Sequence, residues 1–175
     1  MVPTFEKPIQ KHLGPKYRCV LATLITLTLL FVIFSIASAT TTPTLCDTPF
    51  IKYHCSKVTY TQQGSNVLIT DRNFKGAIDG GAQRWQIYYT KDWERISGNW
   101  VFRENWGPGS WRTDVTFSPW FGWPNDNRTR INDSAVTFKF RFQECIPGCY
   151  YWCSPLEQHN MLTNNSFDVF PATCN

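Results

Sequence analysis

AVTFKFRFQ, residues 135–143, decides how the chain is read. Val136, Phe138, Phe140 and Phe142 alternate with Thr137, Lys139 and Arg141. Successive side chains of a strand point to opposite faces. The run therefore predicts a β-strand with one buried face and one wet face.

Working outward, the neighbouring segments have the same character. Residues 57–62 (KVTYTQ) and 67–70 (VLIT) are β-branched and alternate, and Gln63-Gly64-Ser65-Asn66 lies between them as a turn. That spacing predicts a hairpin. Residues 85–90 (WQIYYT), 100–103 (WVFR) and 113–117 (TDVTF) read as further strands, and 150–153 as a short last one. Residues 71–83, rich in glycine and polar side chains, read as a loop. Residues 155–163 (PLEQHNMLT) suit one or two helical turns. No window of the second part of the chain shows a sustained 3.6-residue apolar period. Short strands, frequent turns and no long helix predict an all-β, antiparallel β-sandwich.

The N-terminal part is of another kind. Residues 19–39 (CVLATLITLTLLFVIFSIASA) carry no charge. At about 1.5 Å per helical residue they are long enough to cross the roughly 30 Å hydrocarbon core of a bilayer. Lys7, Lys11, Lys16 and Arg18 precede the run, against Glu6 alone. This bias keeps the N-terminus in the cytosol. Ala37-Ser38-Ala39 also has the form of a signal-peptide cleavage site. The apolar stretch exceeds the roughly 7–15 residues of an ordinary signal core, which favours an uncleaved type II signal-anchor over a secreted product. The expected organisation is a basic cytosolic tail at 1–18, a transmembrane helix at 19–39, a spacer at 40–45 and a lumenal or extracellular domain at 46–175. Localisation would be the secretory pathway or the surface.

Charge and cysteine usage agree with this division. The chain holds 17 Lys and Arg and 13 Asp and Glu. Four of the bases and one acid lie in the tail, so the domain is nearly neutral and nothing in its composition points to nucleic acid. Seven cysteines are present. Cys19 sits at the cytosolic edge of the apolar run. Cys46, Cys55, Cys145, Cys149, Cys153 and Cys174 are an even set in an oxidising compartment, which implies three disulfides. At least one is expected to tie the start of the domain to its end. The spacings do not match zinc knuckles, so no metal is expected. Asn127, Asn132 and Asn164 open N-glycosylation sequons and are expected at the surface.

Eight tryptophans, all beyond residue 84, are the unusual feature. Trp106-Gly-Pro-Gly-Ser-Trp111 and Pro119-Trp-Phe-Gly-Trp-Pro124 lie in turn-rich stretches. Exposed aromatics on loops are commonly contact sites. Trp106, Trp111, Trp120, Phe121 and Trp123 are thus the candidate binding residues. In 117–124, Pro119 and Pro124 are expected to keep the segment out of a sheet, leaving Trp120, Phe121 and Trp123 on a rigid tip. The same three side chains could instead cap the core, stack on sugars or enter a bilayer interface.

Catalytic and cofactor motifs are absent. His54 and His159 have unremarkable neighbours in sequence, though His54 precedes Cys55, and the cysteines are expected to be consumed in bridges. Asp92 and Glu94 share a strand face at a spacing common in solvated pairs. The expected function is recognition, with no enzyme activity and no cofactor: a small type II or secreted glycoprotein binding a protein partner at a cell or particle surface. The alternative is a membrane-active or glycan-binding module using 117–124. A compact type II glycoprotein with a minimal tail is a layout common among viral envelope proteins, an analogy of plan and not of sequence.

Overall fold

A computed structural model describes residues 37–47, 52–78, 81–169 and 173–174. The basic tail and all but the end of the apolar run lie outside these residues.

The described chain is all-β, in two antiparallel sheets. The first contains β1 (Ala39–Thr41), β2 (Leu45–Asp47), β3 (Lys52–Gln63), β4 (Asn66–Ile78) and β7 (Phe121–Ile131). The second contains β5 (Arg84–Ile96), β6 (Asn99–Trp106), β8 (Ser134–Cys145), β9 (Cys149–Cys153), β10 (Leu156–Asn160) and β11 (Asn165–Val169). The first has the order β1-β3-β4-β7, with β2 also on β3. The second has the order β11-β10-β8-β5-β6, with β9 also on β8. Residues 39–41, assigned in the sequence to the end of the apolar run and the spacer, pair with β3.

The expected β3–β4 hairpin forms, turning at Gly64. Ser97 and Gly98 turn β5 into β6 with φ of 52° and 83°. Positive φ at both centres matches the right-handed twist of the strands it joins.

Four expectations are corrected. Residues 71–83 are not a loop up to Ile78, because β4 continues there and presents Arg72 and Phe74 inward. Gly76 belongs in that strand: a Cβ would lie 2.9 Å from the Trp85 indole, so only glycine lets the ring pack there. Residues 113–117 form no strand, although Arg112 bridges to Trp85 and the Ile78 N–H donates to Asp114 O. Residues 156–160 are strand β10, not helix, with Glu157 and His159 turned inward. Residues 121–131 are strand β7, Pro124 included, paired with β4. The prolines do not exclude this segment because β7 is an edge strand and has a side that needs no ladder N–H.

β8 has the predicted period but not the predicted wet face. Val136, Phe138, Phe140 and Phe142 enter the core. On the other side Thr137 and Lys139 are also covered, Lys139 being only 3 % exposed. A strand with neighbours on both edges, β5 along one and β9 and β10 along the other, is shielded by their side chains on both faces.

Val58, Tyr60, Val67, Ile69 and Phe74 of the first sheet share one apolar core with Trp85, Ile87 and the β8 aromatics of the second. Buried polar clusters flank this core and cross between the sheets. On one side Ser56 of β3 meets Glu157 and His159 of β10. On the other, Arg72 of β4 pairs at 2.8 Å with Asp92 of β5 and at 2.8 Å with Asp126 of β7. A three-residue bulge places Asp126. Ile69 pairs with Arg128 and Asp71 with Pro124, so 125–127 oppose Thr70 alone. Asn125 and Asn127 take the left-handed conformation that asparagine tolerates. Arg130 completes the cluster, bonding Asp92 at 2.8 Å and Glu104 of β6 at 2.7 Å.

The three disulfides join Cys46 to Cys55, Cys145 to Cys149 and Cys153 to Cys174. Register explains the first two: Cys46 stands opposite Cys55 across β2 and β3, and Cys145 opposite Cys149 across β8 and β9. The expected bridge from the start of the domain to its end is absent. Each end is fastened to its own sheet.

Candidate recognition face

The side of the second sheet turned away from the core gathers the features of a contact surface. Its membership follows from register. Ala135, Thr137, Lys139, Arg141 and Gln143 of β8 alternate with the core residues. Trp93, Lys91, Tyr89, Gln86 and Arg84 of β5 stand opposite them. Gln158 of β10 pairs with Thr137 and with Phe167 of β11. Trp100 and Phe102 of β6 stand opposite Arg95 and Trp93.

At one end of this face lies an open groove of about 170 Å³, lined by Trp93, Trp100, Ala135, Thr137, Leu156 and Gln158. The Trp93 indole is fixed in place: its Nε1 donates to Thr137 Oγ1 at 3.1 Å, and Phe102 meets it edge-on at 5.5 Å. Trp100 is 41 % and Phe102 49 % exposed. The Trp93 ring is pinned by its two contacts, so little of its side-chain freedom remains to be lost on binding.

At the other end the face carries a ladder of cations and rings. The Arg141 guanidinium lies over Tyr88, Tyr151 and Trp111, and Arg84 lies over Trp111. Trp111 and Tyr151 stack at 5.9 Å. Gln86, with its amide oxygen toward Arg141, accepts from that guanidinium at 2.6 and 3.1 Å. The 109–112 segment is held here by Gly109 N–H to Ile87 O and by the paired bonds of Arg112 with Trp85.

The sequence-selected aromatics do not converge on one site. Trp111 belongs to the face. Trp106 lies beneath it, with Arg72 and Arg128 over its ring and Trp123 at 5.7 Å. Phe121 and Trp123 pack against the core. Trp120 is half-buried on the first sheet, where Lys57 and Lys75 lie 4.3 and 4.9 Å from its ring centre. The rigid tip expected of 117–124 is thus corrected: β7 pairing and core packing hold Phe121 and Trp123 down. Of the sequon asparagines, Asn127 and Asn164 are exposed and Asn132 is half-buried, its Nδ2 donating to Gly64 O at 2.9 Å.

Sequence reasoning missed Trp93, Trp100 and Phe102 as a unit. The signal was present in the Ser97-Gly98 hairpin turn, which fixes Trp93 opposite Phe102. It also missed the meeting of both histidines. Ser56 Oγ lies 2.6 Å from His159 Nε2 and donates to Glu157, and His54 Nε2 lies 3.0 Å from the other Glu157 oxygen. His159 Nδ1 has Thr42 at 2.9 Å and Ser166 at 2.7 Å. The arrangement has the elements of a nucleophile and its base. Ser56, Glu157 and His159 are fully buried, so the Ser56 oxygen has no opening to a substrate. Burial pulls His159 down to about 3, which keeps it neutral at pH 7. The cluster is a hydrogen-bonded link between the sheets.

No protein-family model, curated protein or solved structure matches the chain.

Proposed function

We propose that this chain is a small surface glycoprotein, anchored through residues 19–39, whose ectodomain binds a protein partner. The ectodomain is a disulfide-stapled β-sandwich, and its contact surface is the outward face of the second sheet. The observation that carries this reading is the exposure of Trp100 and Phe102 beside the Trp93 groove. Monomeric proteins seldom present adjacent aromatic rings to water without a use for them, and tryptophan leads the residues that dominate interfaces.

Replacing Trp100 and Phe102 together by alanine is expected to weaken partner binding by about 2 kcal/mol or more, the scale of hot-spot truncation. The melting temperature should stay close to wild type, since both rings lie outside the core. Surface crosslinking with mass spectrometry on cells displaying the full chain identifies the partner, and titration of the variant measures the loss. Wild-type binding by the double variant would sink the reading.

A second reading, glycan binding, is favoured by the same groove. Trp93 and Trp100 offer ring faces to a pyranose, with Thr137 and Gln158 supplying polar atoms. A glycan array probed with wild type and the double variant separates the two.

The anchor has its own test. N-terminal sequencing is expected to find residues 19–39 retained, and endoglycosidase should shift the mobility. A mature start at Thr40 would leave a secreted protein with the same binding face.

A further inference from the structure

β6 is the outer strand of the second sheet, and the turn before it fixes which way its backbone groups point. Ser97 and Gly98 form a two-residue turn between Ile96 and Asn99. Such a turn closes with a backbone bond between its flanking residues, so Ile96 and Asn99 are a hydrogen-bonded pair. Bonded and non-bonded pairs then alternate along an antiparallel ladder. Trp100 and Phe102, opposite Arg95 and Trp93, therefore turn their N–H and C=O groups away from β5. Arg95 agrees with this phase, since its N–H donates to Asp133 O and not to β6. Among the described residues no hydrogen bond engages the Trp100 or Phe102 backbone. The same two residues carry the exposed rings. Regular pairing stops at Arg103, which a bulge leaves with no residue opposite. On the neighbouring edge of the first sheet, β7 is guarded by Pro124 and by the bulge at 125–127. Asn99 to Phe102 has no proline, bulge or charge to do the same.

We propose that a second copy of this chain pairs with β6, antiparallel, across a two-fold axis at Val101. In this register Trp100 stands opposite Phe102 of the second copy, and Phe102 opposite its Trp100. Each of these pairs exchanges both N–H···O bonds, so every backbone group that the edge leaves open is used. An axis at Trp100 would set Phe102 against Gly98 in the turn. An axis at Phe102 would carry the pairing into the bulge. The Val101 register avoids both. It also lays Trp100 beside Phe102 on the outward side, and cross-strand aromatic pairs stabilise a sheet. The contact is isologous and closes as a dimer.

The anchored reading gives this dimer an orientation, although the pairing itself does not depend on it. A two-fold axis normal to the sheets leaves both first sheets on one side and both second sheets on the other. β1, which follows the apolar run, belongs to the first sheet. Both chains then reach one membrane from the side of their first sheets, and both recognition faces look away from it. Restriction to one membrane raises the effective concentration of the copies, which a contact this small needs.

The test displays the full chain on cells. Val101→Cys places a thiol at the axis, in a pair without backbone bonds, where Cα atoms lie about 4.5 Å apart and a disulfide fits. Oxidation with copper phenanthroline is expected to give a covalent dimer on a non-reducing gel. Its yield should be at least about tenfold that of Val115→Cys, an exposed control away from β6. Sedimentation of the wild-type full chain in detergent micelles should show a dimer that dissociates on dilution. That measurement decides the matter if Val101→Cys does not reach the surface. Trp100→Lys with Phe102→Lys sets like charges opposite one another across the axis. It should lower both readouts at least about tenfold while the melting temperature stays close to wild type. A displayed Val101→Cys that crosslinks no better than Val115→Cys would overturn the proposal. A crosslink from Val101→Cys to a different protein would overturn it too, assigning the edge to a strand of the partner. So would a dimer seen only after endoglycosidase treatment, since sugars at Asn127 or Asn132 would then guard the edge. A chain that does not crosslink yet binds its partner through Trp100 and Phe102 overturns the pairing and leaves the recognition face standing.

Discussion

Arg72→Met is expected to destabilise the ectodomain by about 3–5 kcal/mol at pH 7.5, the cost of breaking a buried ion pair from one side. Arg72 and Asp92 are both fully buried, and Asp126 depends on the same guanidinium. Methionine keeps much of the volume, so the loss comes from two buried carboxylates deprived of the cation they share, with Arg130 left to Asp92 and Arg128, at 3.7 Å, to Asp126. The pH dependence identifies the cause. Burial pushes Asp92 up to about 6, against the pull of Arg72 and Arg130. An acid whose folded-state pKa is raised stabilises the fold most fully below its unfolded value, near 3.8, and that contribution is lost as pH rises through about 6. Without Arg72 the carboxylate takes up its proton more readily still. The deficit of the variant should therefore shrink between pH 7.5 and pH 5. Urea denaturation at the two pH values measures both effects. Arg103→Met is the control: its side chain is 40 % exposed and Glu94 keeps its bond from the Ile131 N–H, so the loss should be smaller, about 1 kcal/mol. Equal losses from the two variants, or a deficit that does not depend on pH, would remove the case for a buried ionic latch.

The contrast between Arg72 and the β8 phenylalanines shows what the sequence could and could not reveal. Period two is a local property, so 135–143 announced a strand and its core face without help. Arg72 stood in a stretch whose polar and glycine content resembles a loop, and the residues that make it a strand are remote. Asp92 is 20 residues away and Asp126 is 54, reached only through a bulge at two left-handed asparagines. The outward face of the second sheet is half local. Alternation puts Lys139 and Arg141 opposite the phenylalanines, but the outward residues of β5 join them only once register is fixed, and a bulge between Ile87 and Tyr89 interrupts that register. The Pro119–Pro124 segment failed for a related reason. Proline excludes a strand only where its missing N–H is needed, and whether a strand lies at an edge is a property of the assembled sheet.

Gly122→Ala is expected to produce the other large loss, about 4 kcal/mol or more, at the upper end of single-substitution effects. Gly122 pairs with Asn73 in the β4–β7 ladder at φ +156°. A Cβ there would lie 1.7 Å from Arg72 O and 2.7 Å from Arg72 C, both backbone atoms that cannot rotate away. The strands must separate, and the consequences follow from what this stretch of β7 carries. Phe121 and Trp123, on either side of Gly122, would leave the core, and Asp126 would be drawn from Arg72. The ionic latch and the first sheet's edge should then fail together. Gly64→Ala is the comparison. Gly64 also has positive φ, +60°, but nothing lies within 4 Å of its Cβ position, so only the left-handed backbone cost applies, about 1 kcal/mol. Thermal melts of the two variants, with tryptophan emission reporting the Trp106–Trp123 contact, decide the point. If Gly122→Ala melts close to Gly64→Ala, β7 does not approach β4 so closely, and 117–124 returns to being a loop whose aromatics are available for contact.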